Sequence, residues 1–282
     1  MAYTHLFRPD SVDIAASAAG DPGDEEVYVF DDEDVVLSVN VAMATQRPLL
    51  VYGAAGSGKS TLAPNIARIL GWDFAHHVIT SRTEAEDLLW QFDAVERLSD
   101  ANDGKAKPAA HYYRHGVLWK AFTGGPTVVL IDEIDKADPD LPNGLLAPLG
   151  SFAFTSHAGE TISAPRDGRP LVVITSNDER ELPRPFLRRC VVLALKPPTM
   201  EHLLKVATAH FGGNIDFEIV EAAADQVLFE QENAVNHGYP PPSTAEFLDT
   251  LRACRRLGIG SDSPEWRHLT MATLVKTAAV RN

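Results

Sequence analysis

Short apolar runs recur along the chain at Leu49–Tyr52, His77–Ile79, Val128–Ile131, Leu171–Thr175 and Val191–Leu193. Between them lie longer stretches with apolar positions at helical spacing. Asp31–Gln46 is one: Val35, Val36, Val39, Ala42 and Met43 fall on one side,. Its acidic start suits the positive end of a helix. Strands alternating with helices predict a parallel sheet with helices on both faces. Runs that are nearly all apolar are what strands covered on both sides require. Residues 150–164 break the rhythm. Phe152 and Phe154 alternate, Ala158-Gly159 can turn and Ile162 returns, so an inserted hairpin competes with an irregular loop here,. After Lys196-Pro197-Pro198-Thr199, a stiff linker that cannot sit in a strand or helix interior, the strand signals stop. Segments 200–211, 217–236, 243–257 and 265–280 read as helices, and Ser243 with Glu246 fits a capping box,. The expected organisation is an acidic flexible arm over 1–29, an α/β domain over 30–196 and a small helical domain over 197–282.

One segment carries specific chemistry. Gly53, Ala54, Ala55, Gly56, Ser57, Gly58, Lys59 and Ser60 fit G-x-x-x-x-G-K-[ST], directly after an apolar strand and directly before a helical stretch, Thr61–Leu70,. The glycines let successive backbone N–H groups turn inward toward phosphate oxygens. Lys59 supplies a mobile positive charge, and the Ser60 hydroxyl is a hard oxygen ligand suited to Mg²⁺. The following helix directs its positive end at the phosphates. The competing reading is a Gly-rich turn with a solvated lysine. Pro64, early in the helix, removes an N–H and has no functional account.

Further polar groups stand at the ends of apolar runs. Val128–Ile131 ends in Asp132 and Glu133. Carboxylates at the carboxyl edge of an open α/β sheet lie where such sheets bind ligands. Asp132 could hold Mg²⁺, and Glu133 could polarise an attacking water; ordinary solvated acids are the alternative. Leu171–Thr175 ends in Ser176-Asn177, whose amide could contact the water or the γ-phosphate, although an Asn there is also a common turn former. Arg188 and Arg189 precede the last apolar run. They could be surface charge, or a guanidinium reaching a neighbouring molecule's γ-phosphate.

Composition narrows the classes. The chain has 282 residues, 45% of them apolar, and a formal charge of −14, which disfavours nucleic acid or an anionic membrane as the main partner,. Its two cysteines, Cys190 and Cys254, show no metal or disulfide pattern, which fits a reducing, cytoplasmic setting,. No secretory signal or membrane-spanning apolar run is visible. His76-His77 lacks ligands at metal spacing. Residues 111–115, HYYRH, read as a loop packing against the core rather than a nucleic-acid patch.

Taken together, these residues resemble the AAA+ ATPases and, within them, the MoxR-like group. The narrower likeness rests on Arg47–Gly53, Thr80–Leu88, Gly116–Ala121 and Asn143–Leu146. The resemblance covers about residues 30–255. It implies a P-loop domain with a five-stranded parallel sheet flanked by helices, a small C-terminal helical lid, and ATP with Mg²⁺ as ligands. It also implies a homo-oligomeric, hexameric ring, a von Willebrand factor A domain partner and a client protein. Gly53–Thr61 and Asp132 would bind nucleotide, Ser60 and Asp132 the metal, Glu133 the water. Asn177 would be the sensor, and Arg189, with Arg188 the fallback, the arginine finger. The chain departs from the pattern where a lid arginine is expected: Thr244 stands there, with Arg252 and Arg255 nearby. The activity expected is ATP hydrolysis driving chaperone-like remodelling. A nucleotide-gated switch with slow or no hydrolysis is the alternative, and a P-loop small-molecule kinase a further one.

Overall fold

The apolar runs become the strands of a parallel sheet in the computed structural model, which describes residues 4–9, 27–237 and 239–275. The expected acidic arm falls mostly on 10–26, outside the described residues, as does the end of the last helical segment. The described chain groups into two compact units. Among the described residues the first comprises 4–8, 34–52 and 66–194, and the second 9, 27–33, 53–65, 195–237 and 239–275.

In the first unit, helix α1 (Glu33–Thr45) leads into β1 (Leu49–Tyr52). Strands β2 (Asp73–Val78), β5 (Thr127–Asp132), β8 (Leu171–Ser176) and β9 (Val191–Ala194) complete a five-stranded sheet in the order β2-β5-β8-β1-β9. Every neighbour pair is parallel. The middle strands β5 and β8 are buried at every residue. Val, Ile and Leu dominate them because both faces are covered; on the face carrying Val129, Ile131, Val172 and Ile174 the cover includes Leu118, Phe122, Leu145 and Phe186. Two of those come from α4 (Val117–Thr123), and Leu145 comes from α5 (Asp140–Ser151).

Strand β2 departs from expectation. It starts at Asp73, not His77, and most of its side chains are exposed or half-buried. An edge strand is paired on one side only, so the apolar rule for covered strands does not reach it. Two small antiparallel pairs complete the unit. Strands β3 (Trp90–Phe92) and β4 (Tyr113–His115) flank α3 (Ala94–Asn102). The stretch 111–115, expected as a loop, thus supplies a strand. The His115 ring stacks on Trp119 at 4.0 Å between centroids, and Tyr113 stacks on His157 at 3.5 Å. Strands β6 (Ala153–Thr155) and β7 (Thr161–Ser163) form the second pair, with Phe154 buried beneath. Helix α6 (Arg184–Leu187) precedes β9.

In the second unit, α7 (Met200–Phe211), α8 (Phe217–His237), α9 (Thr244–Leu257) and α10 (Trp266–Thr273) follow the proline linker. Thr199 caps α7, accepting from His202 N–H. Ser243 and Glu246 form the expected reciprocal capping box on α9,. Leu203, Phe211, Val227, Phe247 and Leu251 pack as the core of this helical unit. The segment Gly53–Asn65 belongs to the same unit, so α2 (Lys59–Leu70) starts in the second unit and ends in the first, the change falling between Asn65 and Ile66. The helix continues through Pro64.

Candidate functional site

The loop Gly53–Gly58 has the backbone its sequence calls for. Gly56 and Gly58 adopt φ of 74° and 88°, a left-handed conformation that glycine enters without strain,. Space is also restricted. A Cβ on Gly56 would lie 2.3 Å from Ser243 Oγ, and one on Gly58 would lie 3.3 Å from the Tyr28 ring. Ala245 N–H donates to Gly56 O at 3.2 Å. The start of α9 therefore rests on the loop, through Ser243 and Ala245 rather than through an arginine. Arg252 pairs with Asp249 and Arg255 lies over the Phe211 ring.

Lys59 is only 6% exposed, and its ammonium donates to Gly53 O and Ala54 O, each at 2.8 Å. A buried ammonium beside this loop is a charge-assisted donor suited to an anion. Ser57 Oγ is buried without a hydrogen-bond partner. A left-handed glycine pair, an orphaned hydroxyl and a retained lysine make a cradle that fits a polyphosphate. Ser60 and Thr61 follow at the start of α2, where a metal-bound phosphate would be met.

In the first unit, a polar cluster forms at the carboxyl ends of β5 and β8. Thr175, fully buried, donates its hydroxyl to Asp132 Oδ1 and accepts Glu133 N–H at 2.9 Å. His76 on β2 lies 3.5 Å from Asp132 Oδ2. Glu133 sits at φ 62°, an uncommon conformation for a non-glycine residue and one that gathers at functional positions,. Its carboxylate accepts from Asn177 Nδ2 at 3.4 Å and from Lys136 Nζ at 2.6 Å. That bond raises the Lys136 pKa. Beneath it, buried Asp135 accepts the N–H groups of Asn177 and Glu179 at 3.1 and 3.0 Å, which fixes the turn carrying Asn177. The cluster holds a carboxylate by neighbours placed on two strands, an arrangement able to orient a water.

The arginines lie at the other edge of the sheet. Strand register puts Leu193 level with Thr175, and Arg188 and Arg189 precede the first residue of β9, at the amino edge of the sheet, whereas the acidic cluster stands at the carboxyl edge. The Arg189 guanidinium donates to Leu146 O at 2.6 Å. Arg188 is exposed, and its guanidinium has no hydrogen-bond or ion-pair partner among the described residues. The sequence marked no role at this site for Thr175, Asp135, Lys136 or Tyr28, and His76 stood out only as half of a histidine pair without metal-ligand spacing. Only Asp135 and Lys136 carried a signal for this site, by following the acidic pair directly.

The family model for the AAA domain (dynein-related subfamily) matches residues 48–205. The chain belongs to this family. Membership in the AAA group implies nucleotide binding, and the loop at Gly53–Ser60 and the acidic strand end at Asp132-Glu133 both lie within the matched span. The AAA chain is 33% identical to midasin of Giardia intestinalis over 106 residues, 37% of this chain and 2% of that protein. It is 31% identical to the chaperone protein ClpB of Enterococcus faecalis over 159 residues, 55% of this chain and 17% of that one. It thus spans a small part of the relatives it matches. A mutant RuvB of Thermotoga maritima is similar in structure, at 15% identity and TM-score 0.48, over 82% of this chain and 70% of that one. Among the described residues no helix is long and apolar enough to cross a membrane, and no group of three or more His, Cys, Asp or Glu could hold a metal by itself.

Proposed function

We propose that this chain binds ATP with Mg²⁺ and hydrolyses it, as a MoxR-like member of its family working in chaperone-like remodelling of a partner protein. The Glu133–Asn177 pair carries the reading: a strained glutamate at the carboxyl edge of the sheet, with an amide on its carboxylate. In this reading residues 30–196 are the nucleotide-binding domain and 197–282 the lid. The amides of Gly53–Gly58 and the Lys59 ammonium neutralise the phosphates. Ser60 and Asp132 would hold Mg²⁺, which would supply positive charge against the phosphoryl oxygens. Glu133 polarises the water and Asn177 orients it.

The finger is assigned to Arg188 ahead of Arg189. Arg189 is committed to Leu146 O, whereas Arg188 is exposed and unpaired among the described residues. Both arginines precede β9 at the amino edge of the sheet, opposite the acidic cluster at the carboxyl edge, which favours supply from a second copy in a closed, hexameric ring,. A von Willebrand factor A domain protein as partner, an unidentified client and a cytoplasmic setting belong to the same reading.

Glu133→Gln tests it. ATP affinity should persist while turnover falls by at least about 10²-fold; unchanged turnover would reject the assignment. The switch reading gains from one observation. Lys136 clamps Glu133 at 2.6 Å, which would hold hydrolysis back until the clamp opens.

A further inference from the structure

The amino edge of the first unit holds a cavity of about 630 Å³ lined by Arg47, Arg169 and Arg189 together with Leu145, Phe152 and Phe186. No carboxylate lines it, although the chain has 39 acidic residues against 25 lysines and arginines. Each guanidinium is positioned by neutral acceptors only. Arg47 donates through Nε to Arg189 O at 3.1 Å and through Nη2 to Arg188 O. Arg169 donates through Nη1 to Gln46 Oε1 and lies over the Phe152 ring, 4.8 Å from its centroid. Arg189 donates through Nη1 to Leu146 O and packs over Gly150, where a Cβ would come within 3.4 Å. Five N–H donors per guanidinium leave most of these donors uncommitted. One of them, Arg169 Nε, is buried with no partner at all.

Three fixed positive charges without a counter-charge repel one another, and a buried N–H without an acceptor costs free energy. Both penalties vanish if an oxyanion enters. The planar fork of arginine matches the oxygen pair of a phosphoryl or carboxylate group. We propose that this cavity is a binding site for a polyvalent oxyanion, separate from the Gly53–Ser60 loop, with Arg47, Arg169 and Arg189 as its ligands and an apolar floor that accepts the body of an organic anion. It reads the charge of a free small molecule at the opposite edge of the sheet from Glu133.

Calorimetric titration of the Lys59→Ala protein with pyrophosphate tests this, since that background weakens binding at the loop. Binding should be measurable, should weaken as salt rises, and should fall at least about tenfold when Arg169→Gln or Arg47→Gln is added, the loss of one charge-assisted bond. Citrate titrated in the same way separates the sources. Whichever anion loses affinity on the arginine substitutions names the ligand as phosphoryl or carboxylate, and either result supports the site. Arg169→Lys, which keeps the charge without the fork, should bind with intermediate affinity, and melting temperatures without anion confirm that the variants fold. Equal affinity with and without the arginine substitutions for both anions, or no binding of either by Lys59→Ala, would overturn the proposal.

Discussion

The two edges of the parallel sheet carry opposite charge and treat it in opposite ways. At the carboxyl edge, Asp132, Glu133 and Asp135 are acidic, and each is engaged from within the chain by Thr175, His76, Asn177, Lys136 or backbone N–H groups. At the amino edge, Arg47, Arg169 and Arg189 are basic and meet only neutral acceptors, while Arg188 meets no side-chain partner among the described residues. The difference separates two ways of preparing chemistry. The acidic edge is pre-organised, with its carboxylates oriented before anything binds. The basic edge is incomplete, and its charges await something from outside this chain.

The sharpest way to break the comparison is Arg188→Ala. If this arginine completes a neighbour's site, turnover should fall by about 10³-fold or more with little change in ATP affinity. Mixing the Arg188→Ala and Glu133→Gln proteins should then restore part of the activity, because one copy supplies the finger and the other the glutamate. No recovery on mixing would place the arginine's effect within its own chain.

At the acidic edge, Thr175→Val removes one hydroxyl of nearly unchanged shape and leaves Glu133 N–H without its acceptor. The expected cost is about 1–3 kcal/mol of stability by denaturant titration. A stability equal to that of the parent would show that the edge is not held from within. Lys136→Ala is a smaller perturbation. If the lysine restrains Glu133, turnover should rise a few-fold at unchanged ATP affinity; a fall would make Lys136 part of the machinery instead.

The smallest expected effect concerns His77, at the level of Ile131 on the edge strand. Burial lowers its pKa below the ordinary 6.5, against the opposing pull of Asp87 and with a further lowering from His76. A depressed value means that the unfolded chain takes up the proton first. Stability is therefore fully present above 6.5 and declines as pH drops below it, levelling once pH passes the folded value,. Melting temperatures from pH 7.5 to 5 should show this decline, and His77→Gln should flatten it. An identical slope in both proteins would mean that His77 binds its proton equally well in the folded and unfolded chain.

Much of this was legible in order along the chain. The phosphate loop lies in eight consecutive residues, and its backbone needs only Gly56 and Gly58 to turn. The capping box of α9 is a four-residue pattern. Strands β5 and β8 announce themselves because covered strands must be apolar throughout. Strand β2 was misjudged at its start because an edge strand escapes that demand, and β4 because three residues of mixed polarity carry no period.

What residues alone determined, then, are the features that local backbone chemistry enforces: the loop, the strand ends with their acids, the helix starts. Only the tertiary structure decided who meets whom. It set Thr175 against Asp132 from 43 residues away and tied Arg47 to the backbone 142 residues on, so that three arginines line one cavity. It also grouped the phosphate loop with the helical unit rather than with the sheet. Contacts between distant segments depend on register and packing, which no short stretch of sequence contains.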